Sequence, residues 1–83
     1  MIHELKIQSE YFLAVINKTK TFEIRKNDRD FKVGDKIILR EIDSRGRYTG
    51  RSAFRNIAYI TDYAQQENYV VMAITELGDE EDE

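Results

Sequence analysis

Cysteine and proline are both missing from this chain. Without cysteine no disulfide or thiolate metal site can form, which fits a reducing cytoplasm. Nothing marks a linker, an internal repeat or a low-complexity segment before the acidic end, so 83 residues read as one small domain. A chain of this size buries roughly 60–65% of its unfolded surface, so its core is thin. Long apolar runs are absent as well. The longest, Tyr69-Val-Val-Met-Ala-Ile74, falls far short of the ~20 residues of a membrane span. The first seven residues lack the apolar region of a signal peptide. Together these absences predict a soluble cytoplasmic protein with no membrane partner. His3 is the only histidine, and the carboxylates are scattered or gathered at the end, so no metal and no cofactor is expected. There is also no glycine-rich phosphate loop and no Ser-His-Asp arrangement.

The formal charge of −3 conceals an asymmetry. Asp79 to Glu83 are all acidic. With those five set aside, thirteen bases face eleven acids, so residues 1–78 carry +2. The segment 79–83 has nothing apolar to bury and is expected to be a disordered tail that repels nucleic acid. The domain, residues 1–78, is mildly basic, which permits nucleic-acid binding.

Hydrophobic spacing supplies the elements. Ile2 to Ile7 reads as a strand. Ser9 suits an N-cap, Glu10 suits the first turn, and Phe12, Val15 and Ile16 form a helical stripe over residues 9–17. Thr21 to Lys26 alternates, with Phe22 and Ile24 apolar. Phe31 and Val33 pin a polar loop. Lys36 to Ile42 is a strand, Asp43 to Gly50 a hairpin loop, and Arg51 to Thr61 a long strand that needs a bulge to fit both Phe54 and Ile60. Tyr69 to Glu76 is the last strand. The predicted core is Phe12, Val15, Ile16, Phe22, Ile24, Val33, Ile38 and Val71. Five strands and one helix suit an α+β fold, a small curled mixed sheet or open barrel with the helix covering one end.

Two regions carry candidate chemistry. Thr21, Glu23 and Arg25 share one strand face, and Lys20 joins them if it belongs to the preceding turn. Lys20 and Arg25 supply positive charge and donors; Glu23 holds them in place or accepts hydrogen bonds from a ligand. The competing reading is an exposed ion-pair ladder, whose loss costs only ~0–1 kcal/mol. In the second region, Arg45-Gly-Arg47-Tyr48-Thr-Gly-Arg51, basic residues interleave with an aromatic and suit a phosphate backbone with a stacked base. Its competing reading is an ordinary polar hairpin tip.

Lys18-x-Lys20-x-x-Glu23-x-Arg25 is similar to the Gly-x-Lys-x-x-Glu-x-Arg signature of ASCH domains, members of the PUA-like superfamily. The resemblance continues through Phe31-x-Val-Gly-Asp35. The opening strand and helix, with Arg47-Tyr-Thr-Gly-Arg51, look like a small ASCH-related family of bacteria and phages. The match spans residues 1–76. It implies a PUA-like barrel of five or six strands and a cleft to which Lys20, Glu23 and Arg25, and less firmly Thr21, carry over. ASCH domains are generally proposed to bind RNA, and some small relatives hydrolyse modified nucleosides. Lys18 stands where the signature has glycine. If that position takes a positive φ, lysine strains it by about 1 kcal/mol.

The expected function is therefore an RNA- or nucleotide-binding module using the Lys20/Glu23/Arg25 cleft, with Thr21, Arg47, Tyr48 and Arg51 as further contacts. A first alternative is an amidohydrolase acting on an acylated nucleoside, with Lys20, Glu23 and Glu67 as its catalytic group. It requires an uncharged Lys20, which the adjacent Glu23 opposes. A second alternative is an interaction or regulatory protein whose acidic tail mimics nucleic acid. Oligomeric state is open.

Overall fold

The computed structural model describes residues 1–77; the expected acidic tail, 79–83, lies outside them. The chain order is β1 (Ile2–Gln8), α1 (Ser9–Ile16), β2 (Phe22–Lys26), β3 (Lys36–Ile42), β4 (Tyr48–Thr61) and β5 (Tyr69–Glu76). One five-stranded sheet, in the order β1-β3-β4-β5-β2, curls into a half-barrel. β1 runs parallel to β3, and every other neighbouring pair is antiparallel. The predicted curled mixed sheet with one helix is what forms. No helix among the described residues is long and apolar enough to cross a membrane.

The core lies on the concave face, where Ile37, Leu39, Ile57 and Met72 are essentially sealed from solvent. Phe12 and Val15 of α1 close over it. Phe31 is pinned as expected, but Val33 stays exposed. Ile16 is exposed because the helix ends there, leaving only Phe12 and Val15 on its buried side.

Three strands carry the opposite phase from the predicted one. β2 buries Glu23 and exposes Phe22 and Ile24. β3 buries Ile37, Leu39 and Glu41, leaving Ile38 half-buried. β5 buries Val70, Met72 and Ile74, leaving Val71 half-buried. The cause is local ambiguity. Apolar residues stand side by side in β3 and β5, so both phases look equally good from periodicity. In β2 a carboxylate takes the inward place because two cations accompany it there.

The long strand β4 begins at Tyr48 rather than Arg51. The hairpin loop shrinks accordingly. The carboxylate of Asp43 accepts the backbone N–H groups of Arg45 and Arg47, both at 2.9 Å, and Gly46 takes the positive φ (+78°) that closes the turn. Gly50, at φ +98°, lies inside the strand near a register break between Arg40 and Ile42, so it serves a bulge rather than a loop. A second register break between Ile57 and Tyr59 is the anticipated bulge. It turns Ile57 and then Ile60 toward the core, while Phe54 and Tyr59 stay outside.

Ser9 is the first residue of α1, not its cap. Gln8 occupies the cap position without a side-chain capping bond, and the Ser9 hydroxyl donates to the Ile42 carbonyl at 3.1 Å. At the other end Lys18 adopts φ +70°. Its N–H donates to the Val15 carbonyl, and those of Thr19 and Lys20 to the Ala14 carbonyl. This is the left-handed helix stop that glycine fills most easily. Lys18 also pairs with Glu76 at 2.7 Å, an exposed contact contributing ~0–1 kcal/mol. Relief of about 1 kcal/mol of backbone strain should slightly outweigh that pair. Lys18→Gly is expected to raise the melting temperature by about 2–4 °C; a fall would show that the pair outweighs the strain.

Candidate functional site

β1 and β2 are the two edges of the half-barrel. Following the pairings around the sheet, they run antiparallel to each other across an open seam. Residues of a strand present their backbone groups alternately to either side. The Lys36 N–H donates to the Met1 carbonyl, so the β1 residues facing β3 are the odd-numbered ones. Glu4, Lys6 and Gln8 therefore turn their backbone groups to the seam. On β2, the Ile74 N–H donates to the Thr21 carbonyl and the Asn27 N–H to that of Asn68. Phe22, Ile24 and Lys26 thus face the seam from the other side.

Side chains, not a strand, bridge this gap. Nη2 of Arg25 donates to the Lys6 carbonyl at 2.6 Å, and Nη1 of Arg29 to the Glu4 carbonyl at 2.7 Å. Nζ of Lys20 donates to the Phe22 carbonyl at 2.8 Å. Beneath them sits Glu23, only 4% exposed. Its Oε1 accepts from Lys20 Nζ at 2.7 Å and its Oε2 from Arg25 Nε at 2.7 Å. Lys20, Glu23 and Arg25 are thus brought together, and as a largely buried clamp rather than an exposed ladder. Lys20 lies over the rings of Phe22 and Tyr11, at 4.9 and 5.9 Å. Both carboxylate oxygens of Glu23 are engaged, so its role here is to hold the two cations.

A cleft of ≈ 360 Å³ opens along the seam, lined by Lys6, Ile7, Gln8, Tyr11, Tyr69 and the β2 residues Glu23 to Lys26. Three cations (Lys6, Arg25 and Lys26) line it against one carboxylate, Glu23. It is an electropositive slot walled by unpaired strand edges. Among the described residues no three of His, Asp and Glu are gathered so as to hold a metal ion.

The other predicted site residues lie elsewhere. Thr21 borders a separate hollow with Val15, Lys18, Arg55 and Lys20, which lines this hollow rather than the seam cleft. Glu67 is exposed and borders a third, with Asn27 and Asp62, and does not line the cleft beside Glu23. Arg47 pairs with Asp43 at 3.2 Å. Tyr48 stacks under Arg40 on the outer face. Arg51 serves a second internal carboxylate: Nε and Nη2 donate to Oε1 and Oε2 of Glu41 at 2.8 and 3.0 Å. The Thr49 hydroxyl adds a bond of 2.6 Å to Oε1, and the guanidinium lies over the Phe12 ring. Sequence reasoning missed Lys6, Lys26, Tyr11 and Tyr69 as cleft-lining residues, and Arg29 as a bridge across the seam. The alternation of β1 signals an outward Lys6, but which edges face each other is a property of the whole sheet.

Two carboxylates link this architecture to pH. The Arg51 hydrogen bonds, then that of Thr49, hold the Glu41 carboxyl down from an ordinary 4.5 to about 2 against the opposing effect of burial. The hydrogen bond from buried His3, whose Nε2 lies 2.8 Å from Oδ2, holds Asp35 at about 2 instead of 3.8. Both folded values lie below the unfolded ones. Their contribution to stability is therefore complete above about pH 4.5 and is lost as pH falls toward 2. Urea titrations from pH 6 to 2 should show this decline, and Arg51→Gln should flatten it. An unchanged slope in that variant would show that the Glu41 pair contributes nothing.

Fold and site together define a small α+β domain: a curled mixed sheet whose open seam is floored by a Lys-Glu-Arg clamp. Residues 2–74 match the family described as "Domain of unknown function (DUF3850)", and the chain belongs to that family. It is 39% identical over 72 residues to the "Uncharacterized 12.9 kDa protein in GpA 3'region" of Escherichia phage P2. That match covers 86% of this chain and 65% of the phage protein, so the chain spans less than two thirds of that relative's length.

Proposed function

We propose that the seam cleft binds a nucleotide unit of RNA, and that the domain is a binding module of the ASCH, PUA-like kind. The observation that carries this reading is the slot itself. Two strand edges turn main-chain N–H donors to the seam, Lys6, Arg25 and Lys26 supply positive charge, and Tyr11 and Tyr69 supply rings beside them. Phosphate, base edge and base face each find a matching group. The ASCH-like Lys20-x-x-Glu23-x-Arg25 pattern supports it. A purely binding role suits Lys20, whose Nζ is held between two fixed acceptors, one of them the Glu23 carboxylate.

Titration with hexauridylate over a range of salt tests the proposal. Three phosphate contacts on a single strand give a slope of log K against log salt of roughly −2, from about −0.7 each. Lys26→Ala should flatten it by about 0.7 while leaving the melting temperature unchanged. A salt-independent affinity would point to a neutral nucleoside instead. Release of acid from an acylated nucleoside would replace the binding module by the hydrolase.

A further inference from the structure

The outer face beside the seam carries a second cluster that the cleft does not absorb. Arg40 lies flat over the ring of Tyr48, its guanidinium carbon 3.7 Å from the centroid, and Lys6 Nζ approaches the same ring at 5.8 Å. Lys6 and Arg40 are register partners on β1 and β3. Leu5 and Leu39, their neighbours in the strands, are buried, so both cations stand on the outer face. Like charges on adjacent strands at matched positions repel each other. The nearest acid, Glu4, reaches Arg40 only at 3.8 Å, too long for a good hydrogen bond. The Lys6 carbonyl is already the acceptor for a third cation, Arg25. Positive charge thus gathers around one residue, Lys6, which also lines the seam cleft. Tyr48 remains about half exposed. An anion between Lys6 and Arg40 would relieve their repulsion, and the Arg40–Tyr48 stack presents flat surfaces of the kind that take a nucleobase.

We infer that the ligand is single-stranded nucleic acid whose chain leaves the seam over Lys6 and crosses onto the outer face, where Arg40 takes a phosphate and the Arg40–Tyr48 stack a base. This rests on the seam reading above and extends it from one nucleotide to a short track. β1, β3 and β4 are adjacent. Strands lie about 4.8 Å apart, so the second station is about 10 Å from the β1 edge, within reach of the same chain.

Calorimetric titration of the whole protein with uridine monophosphate and with hexauridylate tests it. One additional stacked base should make the hexamer bind about tenfold more tightly or better. Tyr48→Ala should remove about tenfold of that affinity and leave monophosphate binding unchanged, while Tyr48→Phe keeps the ring and the affinity. Arg40→Gln should reduce the hexamer salt slope by about 0.7. Melting curves of the three variants should match the parent, which separates lost binding from lost folding. The track is overturned if the hexamer binds no better than the monophosphate, if Tyr48→Ala and Arg40→Gln bind it as the parent does, or if a duplex binds equally well; the seam reading survives all three. Hexamer binding that needs Tyr48, with no monophosphate binding and no effect of Lys26→Ala, would keep the outer station and overturn the seam. If neither probe binds, both readings fall.

Discussion

Leu39→Ala is expected to cost about 3–4 kcal/mol, while Ile38→Ala, one residue away, costs about 1 kcal/mol or less. Leu39 is fully sealed at the centre of the concave face, between Leu5 of β1 and Ala53 of β4. Removing three carbons there leaves a void that the surrounding strands close only in part. Ile38 faces outward beside exposed Phe54, and its truncation loses mainly strand propensity and some packing. Small domains often hold only about 5–15 kcal/mol in total, so the first variant approaches the limit of folding. Urea titration measures both, through the midpoint at constant slope. Equal losses at the two positions would mean that the strand phase described above is wrong.

Glu23→Gln should be the second large effect, at about 2–3 kcal/mol and a fall of roughly 10–20 °C in melting temperature. The amide keeps the shape but loses the charge that both Lys20 and Arg25 face. Two cations then remain close together in a largely buried place with one weak acceptor between them. Lys20→Met should cost less, because Arg25 still neutralises Glu23 and the methionine stem keeps much of the packing over Tyr11. The exposed-ladder reading of the sequence predicts almost no change for either variant, and calorimetric melting of the pair decides. A melting temperature within 2–3 °C of the parent for Glu23→Gln, on the order of an exposed pair's worth, would restore that reading. The clamp's structural weight also makes it a poor place to probe function. Lys26 and Tyr48 report on binding with far less risk to the fold.

Much of the fold was legible in the sequence because its signals are local. The order of strand, helix and four strands follows from apolar spacing, and a β4 bulge is expected in order to fit Phe54 and Ile60, of which only Ile60 turns toward the core. The core was not legible to the same degree. Periodicity says that Ile37, Ile38 and Leu39 belong to a strand, but only the neighbouring strands decide which of them faces inward. Glu23 and Glu41 are harder still. A carboxylate in an alternating strand reads as outward-facing unless its partners are known. Glu23 has them three residues before and two after, so its cluster could be anticipated. Glu41 finds Arg51 only across a hairpin ten residues away. The seam is the least local feature, since the facing of β1 and β2 follows from all four pairings in the sheet.

The two arginines that span the seam have a consequence for how copies of the chain meet. A bare sheet edge is a template on which another polypeptide can add a strand, and this sheet has two such edges. Here they face each other, and Arg25 and Arg29 occupy carbonyls of β1 that an incoming strand would need. The half-barrel thereby conceals from its neighbours the groups that would seed edge-to-edge assembly. Weakening that guard at Arg29, which lies outside the clamp, is expected to favour strand exchange and aggregation at high concentration, so solubility, more than melting temperature, registers whether the seam is guarded.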